Sequence, residues 1–285
     1  MNFPSATLLA QSALSGVFIG SLYGLLGLGL GLTWGLLHVI NLAHFGLAFL
    51  AAYVCYQLVG SYGVDPFLTL AVIVPVFFTL GMAMQWLLMR FRVSPLNSLL
   101  ATFGLTAIIE ALIQYCWTAD FRKLESAYAT MKFKIGVLYV PIPELVTLLF
   151  AVGMSLAIWA AMRYTDLGKA MRAVAEDGPM AAAFGVDHKR LALLLSGVCG
   201  ALAGIAGVCL ALSYTLTPSQ IYAWVGVVFA AVMLGGLGSP LGPLAAGVLI
   251  GVSEALTAAV ASPSWSPIVS FTLLIVLLLA RPGTT

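Results

Sequence analysis

Long apolar stretches, separated by short polar or turn-rich ones, follow each other along the whole chain. A helix that crosses the hydrocarbon core of a bilayer needs about 20 mainly apolar residues. The pattern therefore predicts an all-α protein, a polytopic membrane helix bundle with about nine transmembrane segments (eight to ten), forming one domain over residues 1–285. The apolar segments are 8–33, 45–60, 67–89, 95–117, 143–162, 190–213, 221–236, 243–260 and 267–280.

Composition agrees with a membrane protein. Hydrophobic residues make up 62% of the chain and charged residues 8%, whereas soluble proteins carry about 25% charged residues. The net charge of +2 gives no sign of nucleic-acid binding. No Lys or Arg precedes the first apolar segment, so we expect this span to be retained and not cleaved as a signal peptide. The cysteines lack CxxC spacing, which indicates packing residues and not a metal site or disulfide framework: Cys55, Cys116, Cys199 and Cys209.

Basic residues between the spans predict the orientation of the bundle. They lie at Arg90 and Arg92, along residues 163–190 and at Arg281. Alternating spans place all three groups on one side, which should be the cytoplasmic side. Residues 118–142 then face outside, although they contain four basic residues, against the usual rule. Nine spans put the N-terminus outside and the C-terminus inside, whereas eight or ten would change the N-terminal side.

Glycines recur at close spacing in two spans, and breaker-rich segments interrupt two regions. The segments 24–46 and 235–247 are the interrupted ones, and the second holds five glycines and two prolines, too many for a continuous helix. Broken backbone inside a bilayer must be buried in protein or face water, and in transporters it often lies near the substrate path. The close spacing predicts tight helix packing at Gly16, Gly20, Gly24, Gly27, Gly31 and Gly35, and at Gly197, Gly200, Gly204 and Gly207.

Asn41 and His44 are polar residues within the first of these breaker-rich segments. They are three residues apart and would share a helix face. Two interpretations stay open: the side chains bond to backbone groups freed by the helix break, or they line a substrate path. We predict that they meet the 235–247 segment, with Gly235 and Gly236 at its start, around a central cavity near the middle of the membrane.

Two carboxylates, Glu110 and Glu254, lie inside spans, and each should be paired, protonated or facing water, because an ionised group at the bilayer centre costs about 3 kcal/mol or more. Glu254 follows the second breaker-rich segment and should point into the bundle, paired with neutral donors or facing a substrate ammonium group. Glu110 has Gln114 four residues later and should face a neighbouring subunit. Glu144 follows closely after Pro141 and Pro143, and we interpret it as an interfacial residue.

Residues 164–190 form the longest polar stretch on the predicted cytoplasmic side, yet their composition favours structure. Residues 168–176 are rich in helix formers, and Ala170, Ala173 and Val174 can share a face. A small, alanine-rich surface with charged flanks suits docking into a groove on a soluble protein.

A second short helix should follow within this stretch. Asp177, Gly178 and Pro179 predict a helix stop and then a new start, with Asp177 as the N-cap. The helix over 180–184 should end at Gly185, because a left-handed glycine often terminates a helix. The sequence thus predicts a pair of short helices between two spans.

Four stretches of the chain resemble one family of membrane proteins. GKAMRAVAEDGPMAAAFGVDHKRL, from Gly168, is similar to the cytoplasmic coupling segment of branched-chain amino acid ABC transporter permeases, which typically shows G-R-A-x-R-A-x-A-E-D, then alanines and L-G-[IV]. VINLAHF, GGLGSPLGPLAAG and GVSEAL resemble further family stretches in the same order and spacing. One departure is that Phe45 follows His44, where the family usually has Gly. The resemblance covers most of the chain.

The resemblance implies a transmembrane permease subunit of an importer in the bacterial inner membrane, carrying branched-chain or other hydrophobic amino acids by alternating access. Expected partners are a second, related permease subunit, two cytoplasmic ATP-binding-cassette ATPase subunits, a periplasmic substrate-binding protein and membrane lipid. The chain should hold no cofactor itself: it has no G-x-x-x-x-G-K-[ST] phosphate loop, so partner subunits would bind ATP. The residues implied in ATPase coupling are Gly168, Arg172, Ala173, Ala175, Glu176, Asp177 and Gly185.

Other functions stay open at this point. A permease of the same family that imports urea, short amides or aromatic acids would show the same pattern, since the binding protein largely sets the substrate. An ion-coupled secondary transporter would need no docking loop and would place charged coupling sites in its spans. A membrane enzyme is not indicated, because the sequence has no catalytic nucleophile motif and no His, Asp and Glu cluster at metal-ligand spacing.

Overall fold

The structure, a computed structural model, describes residues 5–126, 128 and 131–280. Within these residues, eight helices are long and apolar enough to cross a membrane, and a shorter apolar helix follows them. The predicted polytopic helix bundle is confirmed, and its count of about nine spans is approximate. The α-helices are α1 (Ala6–Leu37), α2 (Ala43–Tyr62), α3 (Leu70–Arg90), α4 (Pro95–Trp117), α5 (Ile142–Tyr164), α6 (Asp166–Glu176), α7 (Gly178–Ala183), α8 (His188–Ser213), α9 (Ile221–Gly235), α10 (Gly242–Val260) and α11 (Ser266–Ala280).

A small β-hairpin between α4 and α5 is an element that the all-α prediction missed. Strand β1 (Lys132–Ile135) pairs antiparallel with β2 (Leu138–Pro141), and Gly136 turns the chain with a φ of 62°. Each strand has four residues, too few to show a clear period in the sequence. Gln11 of α1 bonds to both backbone groups of Tyr139: its Nε2 donates to the carbonyl oxygen and its Oε1 accepts from the N–H, each at 2.9 Å. The hairpin thereby holds the start of α1.

α1 is the central helix of the bundle. Most of its residues from Gly16 to Leu36 are buried, and α10, α8, α5 and α9 pack around it. A helix that is apolar on all sides is stable when other elements or lipid cover every side. Here neighbouring helices provide that cover for the second half of α1, which makes it the scaffold on which the other spans are placed.

Glycines bring α1 and α10 into backbone contact. A Cβ atom on Gly20 would lie 2.4 Å from the carbonyl oxygen of Gly247, and a Cβ atom on Gly251 would lie 2.3 Å from that of Gly16. No side chain fits between the two backbones at these points. The close packing predicted from the glycine spacing of α1 is confirmed.

The glycines of α8 serve the same purpose against two other spans. A Cβ atom on Gly200 would lie 2.2 Å from the carbonyl oxygen of Phe77 in α3, and one on Gly207 would lie 2.2 Å from that of Ala48 in α2. α8 also packs on α1. The second predicted glycine ridge therefore joins α2 and α3 to the central helix.

The bundle has two distinct ends. The hairpin end carries the β-hairpin and a backbone pairing of Arg122 with Leu216. The opposite end, here called the α6–α7 end, carries α6, α7 and the connection between α9 and α10 (236–241). Successive spans alternate between the two ends. The described part of residues 118–142 and the segment 164–190 therefore lie at opposite ends, as the span count predicts.

Candidate functional site

A cavity of about 600 Å³ lies between α1, α5, α9, α10 and α11. Small-molecule sites have volumes of about 300–1,000 Å³, mostly apolar walls and a few placed polar groups. The apolar part of this wall includes Ile19, Val227, Ala255, Ala258 and Phe271. The polar side chains are those of Ser15, Tyr23, Glu144, Tyr214, Tyr222, Glu254 and Ser266. The cavity can therefore hold a small molecule with both an apolar and a polar part.

Glu254 points into the bundle, as predicted, and neutral donors bind its carboxylate. The residue is only 8% exposed. The hydroxyl of Tyr23 donates to Oε2 at 3.0 Å, and the hydroxyl of Ser270 donates to Oε1. Ser266 adds a bond of 3.3 Å to the backbone carbonyl of Glu254. Both carboxylate oxygens are thus engaged, and they join α1, α10 and α11.

The glycine crossing explains why Glu254 reaches α1. Glu254 follows Gly251 by three residues, so both lie on the face of α10 that packs against α1. Because only glycine separates the helices, the carboxylate comes within hydrogen-bonding distance of Tyr23. The ring of Trp224 in α9 packs edge-on against Tyr23, with centroids 5.6 Å apart, and against Tyr214 at 5.5 Å. This aromatic cluster fixes the two phenol rings.

Glu144 lies on the wall of the same cavity, at the hairpin end, which is compatible with its interpretation as an interfacial residue. It belongs to the first turn of α5, directly after the hairpin, and is partly buried. Its carboxylate has no hydrogen bond or salt bridge within the described part of the chain. Burial, and then the nearby Glu144 carboxylate, raise the pKa of the Tyr214 phenol, which therefore stays protonated as a hydrogen-bond donor. Glu110 is not on the cavity wall, but it accepts a bond of 3.2 Å from Gln114 and interacts with the hydroxyl of Tyr222, which does line the cavity.

The connection between α1 and α2 holds Asn41 and leads into His44. Its freed backbone groups bond to Thr102 of α4, whose Oγ1 accepts from the N–H of Leu42 at 3.1 Å and lies 3.2 Å from the carbonyl oxygen of Ile40. Thr102 therefore bonds these two backbone groups, and His44 has a hydrogen bond to the backbone of Leu26 in α1. A structural role for Asn41 and His44 stays a prediction. The Oδ1 atom of Asn41 and the Nε2 atom of His44 are buried without a partner among the described residues.

The connection between α9 and α10 packs against a different side of α1 and is partly exposed. The N–H of Gly238 donates to the carbonyl oxygen of Gly31 at 3.2 Å, and a Cβ atom on Gly35 would lie 2.1 Å from the same nitrogen. His44 packs on Gly29, and residues 29 and 31 point about 200° apart around a helix. α1 therefore lies between His44 and this connection, where we expected a shared cavity. A role in a substrate path stays a prediction for Asn41, His44, Gly235 and Gly236.

The depth of this connection also differs from the expectation of a mid-membrane position. Gly238 and Pro240 line a cavity of about 320 Å³ with Arg163, at the end of α5, and Arg172 of α6. The reason is that the glycines and prolines of this segment separate two complete spans, α9 and α10, and do not interrupt a single span. The connection therefore lies where those spans end, at the α6–α7 end of the bundle.

α6 and α7 are the two short helices predicted for residues 164–190. Oδ1 of Asp177 accepts from the N–H of Met180 at 2.9 Å, which confirms the N-cap of the second helix. Gly185 follows with a φ of 85°, a left-handed conformation that glycine adopts without strain. The predicted start and stop signals are both confirmed.

Close packing fixes this helix pair to the spans. A Cβ atom on Gly168 would lie 2.4 Å from the carbonyl oxygen of Met162, so α6 lies directly on the end of α5. Val174 of α6, Ala181 of α7 and Leu191 of α8 form a small buried cluster. A force on the helix pair is thus transmitted to α5 and α8.

The outward side of the pair is an accessible surface, here called the α6–α7 surface. Ala170 packs with the buried Val174, as the predicted common face requires, whereas Ala173, the third residue of that face, is exposed. One residue corresponds to about 100° around a helix, and packing on α8 selects Val174. Among the residues implied in coupling, Gly168 is buried and Ala175 half-buried. The surface consists of Arg172, Ala173, Glu176, Asp177, Met180, Phe184 and Gly185.

Membrane-length helices around a cavity with polar side chains define a multi-pass membrane protein of the transport class. Residues 12–278 match the family described as branched-chain amino acid transport system, permease component. The chain belongs to this family, which confirms the resemblance seen in the sequence.

Individual relatives agree with this assignment. The chain is 28% identical to the high-affinity branched-chain amino acid transport system permease protein LivH of Escherichia coli K12, over 95% of this chain and 93% of that protein. It is 28% identical to the corresponding protein BraD of Pseudomonas aeruginosa, over 95% and 94%. The probable branched-chain amino acid transport permease protein LivH of Methanocaldococcus jannaschii is 29% identical, over 84% and 78%. No solved structure is significantly similar.

Proposed function

We propose that this chain is the transmembrane permease subunit of an ATP-binding-cassette importer for branched-chain and other hydrophobic amino acids, in the bacterial inner membrane. The observation that carries the proposal is the placement of two features on one scaffold. The amphipathic cavity lies beside the first half of α1, and the α6–α7 surface lies at the other end of the bundle. The α6–α7 end is then cytoplasmic, and the hairpin end faces the periplasm.

The α6–α7 surface is the proposed contact with ATPase subunits. Phe184 is 83% exposed and Met180 57%, although both are large apolar side chains, and small alanines lie beside them. Exposed apolar groups with charged neighbours suit insertion into a groove on a soluble partner. This surface is supported from beneath by the buried Gly168 and the half-buried Ala175. Asp177 belongs to the surface and also caps the start of α7.

The packing suggests how such a contact would act on the cavity. Movement of α6 shifts α5 through the Gly168 contact and α8 through the Val174 cluster. α5 carries Glu144, and both helices pack on α1, which carries Tyr23. A rigid-body shift of these helices alters the cavity, as alternating access requires. The remaining proposed partners are a second permease subunit and a periplasmic binding protein.

Two alternatives are less well supported. An ion-coupled transporter has no use for the α6–α7 surface, and this exposed surface is the observation that favours an importer with ATPase partners. Import of urea or short amides would leave the apolar wall of the cavity without a role. The chain is proposed to have no catalytic activity of its own.

Transport in proteoliposomes tests the proposal. The chain is co-expressed with ATPase, second permease and binding-protein genes from its own genome, and uptake of labelled leucine is followed with and without internal ATP. Uptake should require ATP and should be reduced by isoleucine and valine but not by urea. Uptake that follows an ion gradient without ATP would contradict the proposal.

A further inference from the structure

The 600 Å³ cavity contains two carboxylates but no basic side chain among the residues that line it. Its other polar groups are hydroxyls of Ser and Tyr. An ammonium group can pair with a carboxylate there, while a ligand carboxylate meets only neutral donors. Resting on the function proposed above, we propose that this cavity binds the ammonium group of the substrate through Glu144, and that Glu254 is a positioning residue.

The hydrogen bonds separate the roles of the two carboxylates. Glu254 accepts from Tyr23 on one oxygen and from Ser270 on the other. These bonds tie three helices together, so each oxygen of Glu254 already has a donor and the carboxylate is part of the helix packing. Glu254 therefore shapes the cavity wall by fixing the Tyr23 ring.

Glu144 has the opposite situation. It is partly buried, lines the same cavity and has no hydrogen-bond or salt-bridge partner in the described residues. A carboxylate that loses part of its hydration needs a partner of opposite charge. Tyr214 lies on the wall of the same cavity and provides a hydroxyl there. An ammonium group bound here gives the Glu144 carboxylate its partner of opposite charge and can contact the Tyr214 hydroxyl as well.

The apolar wall specifies the rest of the ligand. Ile19, Val227 and Phe271 can contact an aliphatic side chain in the same cavity. The ligand class is thus an aliphatic amine, and a hydrophobic amino acid is its natural form. Because the ammonium and not the carboxylate finds a charged partner, leucine without its carboxylate should still bind. Leucine without its amino group should not.

Protection of a cysteine in the cavity wall tests this inference. Ala258→Cys is introduced together with Cys116→Ser, which removes the exposed native thiol. The rate of maleimide labelling is measured on the assembled transporter with leucine, 3-methylbutylamine or 4-methylpentanoate. Leucine and the amine should slow labelling, and the acid should not. Equal protection by the acid, or none by the amine, would overturn the inference.

Glu144→Gln then identifies the carboxylate. It should raise the amine concentration for half-protection about tenfold or more, because a hydrogen bond to a charged group is lost. Glu125→Gln, a matched charge change in an exposed outer loop, should leave that concentration within about threefold. Unchanged protection in Glu144→Gln would overturn the assignment even where leucine is transported. Protection through Glu144 without ATP-driven leucine uptake would instead refute the proposed function and support the amine site.

Discussion

The imidazole ring of His44 lies directly against Gly29: a Cβ atom on Gly29 would come within 2.3 Å of the Cε1 atom of His44. The two residues belong to α2 and α1, on either side of the connection that contains Asn41. A histidine fits here because α1 has no side chain at position 29. The contact sets how closely α2 approaches the central helix.

This contact predicts a paired effect on stability. Gly29→Ala should destabilise the folded protein by about 1–3 kcal/mol, because the new methyl group overlaps the buried ring. Adding His44→Ala should recover much of that loss by removing the ring. Thermal unfolding of the purified protein in detergent measures both. Gly104→Ala, in α4 where a Cβ atom meets nothing within 4 Å, is the control. A double variant no more stable than Gly29→Ala would refute the contact.

The crossing of α1 and α10 predicts a larger sensitivity at Gly20. Gly20→Ala puts a Cβ atom 2.4 Å from the carbonyl oxygen of Gly247, and neither backbone can move alone. The helices must separate, so we expect a lower yield of folded protein and a lower Tm. Gly153→Ala in α5 meets no neighbouring atom and should be neutral or slightly stabilising, since alanine favours a helix. Equal stability of the two variants would argue against the crossing.

The hydrogen bonds of Glu254 predict different effects for two replacements. Glu254→Gln keeps an acceptor for Tyr23 and a donor for Ser270, so folded yield and transport should stay near those of the parent. Glu254→Leu leaves two hydroxyls without their acceptor, and each interhelical bond contributes about 1 kcal/mol. Its Tm and folded yield, measured by gel filtration, should fall. Loss of transport in a well-folded Gln variant would mean that the charge itself is needed.

The exposed position of Ala173 predicts an effect on assembly. Ala173→Glu places a charge at the centre of the α6–α7 surface without touching the buried cluster around Val174. The ATPase subunits should no longer co-purify, while the permease itself stays folded. Ala119→Glu, an equal change on an exposed residue at the hairpin end, should leave the complex intact. Full ATPase retention in Ala173→Glu would count against this surface.

Local features of the fold were predictable because local chemistry determines them. Span length follows from the length of each apolar stretch, and the caps at Asp177 and Gly185 follow from side-chain and backbone preferences of single residues. The inward direction of Glu254 followed from the high energy of a carboxylate in lipid. These predictions needed no knowledge of neighbouring helices.

The parts that depend on neighbours were not predictable. α1 and α4 have the same mean hydropathy, yet 72% of the apolar stretch of α1 is buried against 22% for α4. In a membrane, lipid and protein core favour the same residues, so hydropathy does not mark the centre of the bundle. The place of Glu144 on a cavity wall was not predictable for this reason, because only the assembled helices create that wall. The bonds of Thr102 to the backbone around position 41 were not predictable, because Thr102 is far away in sequence.

The central place of α1 has a consequence for how the protein is made. α1 leaves the ribosome first, whereas α10, which covers its glycine face, is among the last helices to be synthesised. At about 5–20 residues per second, the interval is on the order of ten seconds or more. During this time the glycine face of α1 has no permanent cover and must be shielded by lipid or by the insertion machinery. The packing of the bundle is therefore completed late. A chain that stops before α10 leaves the glycine face of its first helix without a packing partner.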